Sequence, residues 1–232
     1  MVDMYRGPEA ERQPAVYRVV RVERGADDLL AGRGWDDAMA VTWGPDAYAT
    51  TWRAVWTSDA LCVRWDCTDQ APWVTRTQRD DRLWETEVVE VFVDPTCSGA
   101  HYAELEISPG NVVCDLHVER LVPDRVMHLD WDFPTLRSSV LRDGDLWTAI
   151  AWMPFADFAT LAPPVAACLP VRGGDVWHVN AFRIKRPGGP VYPERNVVYA
   201  AWSVPDGPTF HAPESFRPMV FEAAPLPPQE PT

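Results

Sequence analysis

Residues 87–93, Glu-Val-Val-Glu-Val-Phe-Val, constrain this chain more than any other stretch. β-Branched and aromatic residues suit a pleated, half-buried surface, so the segment reads as a strand. Successive side chains of a strand point to opposite faces. Glu87, Val89, Val91 and Val93 therefore share one face, and Val88, Glu90 and Phe92 share the other. Glu90 sits among apolar neighbours, where a carboxylate is unfavourable unless hydrogen-bonded or solvated. An acceptor kept in such a place suits the floor of a concave surface. The strand is entered through Trp84 and left through Asp94-Pro95.

The same grammar recurs along the chain. Residues 16–22 alternate apolar residues with Arg and read as an edge strand; 35–41 read as a strand leading into the body. Residues 51–56 place Trp52, Ala54 and Trp56 on one face, and 61–65 return with Leu61, Val63 and Trp65 inward and Cys62 and Arg64 outward. The turn 57–60 between them makes this a hairpin. Residues 102–108 put Ala103, Leu105 and Ile107 on one face and Tyr102, Glu104, Glu106 and Ser108 on the other. Strands follow at 112–118, at 140–142 and 147–153 around Asp143-Gly144-Asp145, at 176–184 with His178 and Asn180 on one face, and at 199–204. Residues 154–161 are the one short helix expected. With 23 prolines, long helices and interior sheet positions are excluded along much of the chain. The expected fold is all-β: a β-sandwich of mostly antiparallel strands with few short helices. One domain is expected over residues 15–222, between a flexible lead-in at 1–14 and a Pro-rich tail at 223–232.

A net charge of −13 repels phosphate backbones and anionic lipid, so neither nucleic acid nor a membrane is an expected partner. Neutral ligands and cations remain compatible. Cys62, Cys67, Cys97, Cys114 and Cys168 form no CxxC pair and no zinc spacing, and an odd count does not make a complete disulfide framework. The first residues are polar and lack the apolar core of a signal peptide, which points to a reducing, cytoplasmic setting.

Near the C-terminus Phe210-His211-Ala212-Pro213-Glu214-Ser215-Phe216 again sets aromatics beside polar groups. Flat rings for CH faces and acceptors for hydroxyls are what a sugar needs. The ordered set of segments Leu61-Cys62-Val63-Arg64-Trp65, Leu83-Trp84-Glu85, residues 87–94, 102–108 and 147–155, Trp177 to Arg183, Trp202-Ser203 and Phe210 to Phe216 resembles the family 9 carbohydrate-binding modules, in particular their stand-alone bacterial relatives. The resemblance spans roughly residues 35–222. It implies a jelly-roll-like sandwich that binds the end of a glycan, or a small sugar, between two aromatic rings without catalysis, and xylan or cellulose as related polymers. Trp84 matches one ring and Phe210 stands where the family usually has the second Trp. Glu90 matches a family acceptor of sugar hydroxyls, Glu104 stands where the family often has Gln, and Asn180 is a further candidate for a hydroxyl. No cofactor is required; a structural calcium is the family's addition, with Asp69, Asp80-Asp81 and Asp94 as oxygen donors. The family is usually extracellular or periplasmic, against the cytoplasmic reading above.

Rival readings start from the same residues. Glu90 also fits a buried ion pair with Arg64 or Arg183. Glu90 with Glu104 or Glu106 has the makings of a glycosidase acid and nucleophile pair, which sit about 5 Å apart in retaining enzymes. Met127-His128, Met153, His178 and Lys185 are of the types that ligate haem in related sandwich domains. No spacing selects a pair among them.

Overall fold

The computed structural model describes residues 4–7, 13–121, 124–189 and 196–223. Most of the expected lead-in and tail lies outside them. Within the lead-in, Met4 is buried and bridges to Tyr199.

The described strands are β1 (Tyr17–Arg21), β2 (Ala40–Trp43), β3 (Thr50–Trp56), β4 (Ala60–Thr68), β5 (Val88–Asp94), β6 (His101–Ile107), β7 (Val113–Leu121), β8 (Asp124–His128), β9 (Arg137–Asp143), β10 (Leu146–Pro154), β11 (Val176–Lys185), β12 (Val198–Ala201) and β13 (Arg217–Phe221). The helices are short: α1 (Ala26–Leu30), α2 (Phe155–Phe158) and α3 (Pro163–Ala166). The front sheet runs β8-β7-β6-β5-β11-β13, with β12 beside β13 on β11. The back sheet runs β9-β10-β4-β3, with β2 also on β3. Apart from the pairings of β1, the strand pairs are antiparallel.

β1 is not the edge strand that its Arg-rich alternation suggests. Its first half, Tyr17 to Val19, pairs in parallel with β13, and Val20-Arg21 pairs in parallel with β3. It therefore changes sheets partway along and joins the two layers. Cys62 is likewise not outward to solvent. It lies under α1 and Trp35 in a cluster on the outer face of the back sheet, with Ile150 and Trp152.

The main core lies between the sheets. Trp52, Val63, Trp65 and Ala149 come from the back sheet, and Val91, Leu105, Trp177 and Ala181 from the front. These are the inward positions that alternation assigns. The opposite face of the front sheet is also largely covered. There Val88, Phe92, Tyr102, Leu116 and Phe182 pack under Leu83, Phe210 and Phe216. A front sheet covered on both faces explains why every residue of β5 is buried. It also places Glu90 on the face that carries the site.

Candidate functional site

β5 and β6 set the floor. Their register pairs Glu90 with Glu106 and Phe92 with Glu104, and β11 sets Phe182 opposite Glu90 on the other side. Three carboxylates thus meet on one face, with one oxygen of each of Glu90, Glu104 and Glu106 lying within 4.8 Å of the others. Among the described residues no group donates a hydrogen bond to the buried Glu90 Oε1, while Glu104 and Glu106 lie close enough to share one and the Trp84 amide faces Glu106. Neither Arg64 nor Arg183 pairs with Glu90: Arg64 chelates Asp66 on the back sheet, and Arg183 holds Asp69.

Burial makes this group hard to ionise. Burial lifts Glu104 to about 7, against the pull of Arg125. Burial, then the Glu104 charge, raises Glu90 well above the carboxylate range. Burial raises Glu106 as well, reinforced by Glu90 and Glu104. At neutral pH Glu90 and Glu106 hold protons while Glu104 is divided between acid and carboxylate, so the cluster offers hydroxyl donors as well as acceptors.

Trp84 stands at the rim on a 3-10 turn, Leu83–Glu85, that precedes β5. Leu83 anchors the turn in the outer core, Thr86 Oγ1 donates to Leu83 O at 2.8 Å, and Arg186 Nε donates to Thr86 O at 3.2 Å. Trp84 is left half-buried. Phe210, in the same cleft, is buried and held by stacking on Phe182, ring centroids 4.2 Å apart, and by the edge of Tyr199. Its neighbour His211 stacks on Phe92 at 5.1 Å and meets the Tyr102 hydroxyl at 3.0 Å. Burial pushes the His211 imidazole down to about 3, so it is neutral beside Glu104. Trp84, Phe210, Glu90 and Glu104 all line one open cleft of about 510 Å³, rimmed by Arg125 and Arg186. That volume lies within the range of small-molecule sites. Arg125 and Arg186 have no signal in the local sequence; they arrive by register and by chain reversal.

Asn180 is on the expected face but does not line the cleft. It is fully buried, its amide donates to Ser203 O at 2.7 Å, and its oxygen accepts from the Ser203 and Ala181 amides at 3.1 and 2.9 Å. Ser215 Oγ lies 3.3 Å from the same amide. Asn180 therefore pins both ends of the segment that carries Phe210 and His211. It is a positioning residue, with no donor or acceptor left for a hydroxyl.

The aspartates proposed for calcium do not fit the ion. Asp69 is buried with one oxygen bonded to Arg183 Nη2 at 2.7 Å and the other to Lys185 Nζ at 2.9 Å. Lys185 is the only lysine in the chain. Its ammonium also bonds Ala71 O at 3.2 Å, pairs with Glu87 and lies over the Tyr48 ring, so it already fills an oxygen cage. Asp94 caps its own turn, accepting from Thr96 N, Thr96 Oγ1 and Gly99 N. Asp80 lies with Asp115 and Asp132, where the Arg79 guanidinium bridges Asp115 and Asp132. Of the candidate haem ligands, Met153 is in the central core and Lys185 in its cage.

Residues 35–109 match the sequence profile of the family described as carbohydrate family 9 binding domain-like, which includes Trp84, Glu90 and Glu104. Two CBM9 structures from Caldicellulosiruptor kristjanssonii, one in complex with glucose and one with cellotriose, superpose at TM-scores of 0.62 and 0.61. They share 10% and 11% identity with this chain, covering 93% and 94% of it and 100% and 98% of their own lengths. A crystal structure of a Bacteroides uniformis protein reaches 0.65 at 17% identity, over 89% of this chain and 99% of that one. At such identities the likeness is one of fold, and it bears out the β-sandwich. A protein of the fungus Arthroderma benhamiae described as an extracellular protein is 26% identical over 186 residues, 73% of this chain and 77% of its own.

Proposed function

We propose that this protein binds carbohydrate without catalysis, holding a glycan end or a small sugar in the cleft between Trp84 and Phe210. The observation that carries the reading is the convergence of a half-buried indole, a second ring and two carboxyl groups on one cleft. The sugar's CH face lies on Trp84. Its hydroxyls bond Glu90, which as a carboxylic acid both donates and accepts, and Glu104, which accepts more strongly once ionised. The glucose and cellotriose complexes of the structural neighbours support a neutral pyranose as the ligand class.

Titration with glucose, cellobiose, xylose and xylobiose, followed by tryptophan fluorescence, tests the reading. Saturable binding is expected with at least one of them. Trp84→Ala should lose at least tenfold in affinity while its melting temperature stays within a few degrees, because the ring is at the rim rather than in the core. Unchanged affinity in a folded Trp84→Ala protein would remove Trp84 from the site. No saturation with any sugar in the folded wild type would overturn the function.

A further inference from the structure

The carboxyls on the cleft floor lack a cation. Glu90, Glu104 and Glu106 are each at most 3% exposed, and among the described residues no Arg or Lys pairs with them. Arg183 and Lys185 of β11, the strand beside β5, are held by Asp69 and Glu87. His211 lies 3.8 Å from Glu104 but is neutral at pH 7. Glu90 lines the cleft, and its buried Oε1 accepts no hydrogen bond among the described residues.

An ammonium offers three donors and one positive charge. Its bonds to carboxyl oxygens are about 2.7–2.9 Å long, so two such oxygens around one tetrahedral nitrogen stand roughly 4.6 Å apart. One oxygen of Glu90 and one of Glu104 lie within 4.8 Å of each other. Both residues line the cleft, while Glu106 lies behind them without exposure. Glu104, held at about 7, supplies one carboxylate at neutral pH. A divalent metal ion is a poorer occupant. Calcium takes about six to eight oxygens, and Trp84, Phe92, Ile184 and Phe210 around the carboxyls carry no side-chain oxygen.

The rim charges do not reverse this preference. Glu85 pairs with Arg76 and Arg82. Arg186 is committed to Thr86 O and Trp84 O, at 3.2 and 3.5 Å, in the turn under the indole. Arg125 is exposed, where salt screens it, whereas the carboxyls are buried. On the floor Tyr102 and Cys114 stay neutral, because burial raises both.

We propose that the cleft takes an amino sugar, a hexosamine with a free amine, its ammonium between Glu90 and Glu104 and its ring on Trp84. The inference rests on the carbohydrate reading of the cleft and adds a cationic class to the neutral pyranoses.

Calorimetric titration of the full chain with glucosamine, glucose, N-acetylglucosamine and glucuronate tests it. At pH 7 and about 0.15 M salt, the general attraction of an acidic protein for cations is screened. Glucosamine should bind at least about tenfold more tightly than glucose, and N-acetylglucosamine, whose nitrogen is uncharged, should show no such gain. At pH 5.5 Glu104 takes up its proton while the amine keeps its own, so the preference should fall to about threefold or less. Glu104→Gln removes the charge at nearly constant shape and should bring glucosamine to within about twofold of glucose, with an unchanged circular dichroism spectrum. If that variant does not fold, the wild-type comparison of the two pH values decides. Glucose binding with no preference for glucosamine, a preference undiminished at pH 5.5 or in the folded variant, or tighter binding of glucuronate would each overturn the inference and leave the carbohydrate site standing. Saturation by no sugar, charged or neutral, would overturn both.

Discussion

Glu106 is buried with no cation paired to it among the described residues, directly opposite Glu90 and beside Glu104. Like charges facing one another across a sheet are destabilising, so protons must be shared. The folded carboxyls here titrate above their ordinary range, Glu104 at about 7. Between the unfolded value near 4.5 and that point, the unfolded chain has released protons that the folded chain keeps. Stability contributed by these groups is therefore full at acid pH and is lost as pH rises through about 7. Glu106→Gln removes one titrating group and supplies an amide donor to its neighbours. Thermal melts should show it stabilised by about 1–3 kcal/mol at pH 8, with a smaller gain at pH 5. An equal or larger gain at pH 5 would contradict proton sharing. Sugar binding carries its own pH signature. Ionised Glu104 is the stronger acceptor, so calorimetry should find affinity roughly fivefold higher at pH 8 than at pH 5.5, about 1 kcal/mol; equal affinities would mean that Glu104 does not touch the ligand. Glu90, Glu104 and Glu106 were legible because strand alternation puts acidic positions on the face of Phe92 and Tyr102. Asn180 obeys the same alternation and still misses the cleft. Alternation assigns a face, but it does not say which part of that face a returning loop will cover.

At the scale of elements, the end of β11 closes a buried ion cluster with its own side chains. Arg183 and Lys185 project from alternate positions and share the buried carboxylate of Asp69, and Lys185 reaches Glu87 just before β5. Removing one partner of such a group leaves an unpaired buried charge, so Lys185→Ala should destabilise the fold by about 3–5 kcal/mol. Calcium should leave the wild-type melting temperature unchanged relative to chelator. A calcium-dependent rise that disappears in Asp69→Asn would show that the ion, not the ammonium, holds this junction. The sequence offered Asp69 as an oxygen donor but hid its partners, which lie more than a hundred residues away. β1, β8 and β13 were misread or missed for related reasons. β1 reads as an edge because Arg18 and Arg21 alternate with apolar residues. Its parallel partners have no turn to announce them, and Arg18 finds Glu222 while Arg21 lies over Trp56. β13 begins Arg217-Pro218, and a proline argues against a strand interior. β8 is short and exposed, so no apolar alternation marks it. The hairpins read correctly are those closed by local turn chemistry, such as Gly144 at a φ of +57° between β9 and β10.

For the whole molecule, the question is whether two sheets make one folding unit. Each sheet has its own outer cluster, but the core between them is shared, and β1 belongs to both ladders. The rings at the junction come from distant parts of the chain. Trp52 of β3 stacks on Trp202, just past β12, at 5.8 Å, and Tyr17 of β1 lies 4.7 Å from Trp52 and accepts the Ala54 amide at 2.7 Å. Trp202 also begins the segment that Asn180 pins and that delivers Phe210 to the cleft. The sandwich architecture was legible because inward positions recur with period two in both sheets, whereas this closure depends on pairings between residues near opposite ends of the chain. Such a junction couples the layers: neither sheet can open without exposing the core of the other. Far-UV circular dichroism and tryptophan fluorescence should therefore melt together in a single transition. Trp52→Ala, which empties the junction, should lower stability by about 3–5 kcal/mol and shift both signals by the same amount. If the front sheet instead unfolded alone, fluorescence and circular dichroism would separate in the variant. That separation would show that the cleft rests on a unit independent of the back sheet, and β1 would then be only a link between them.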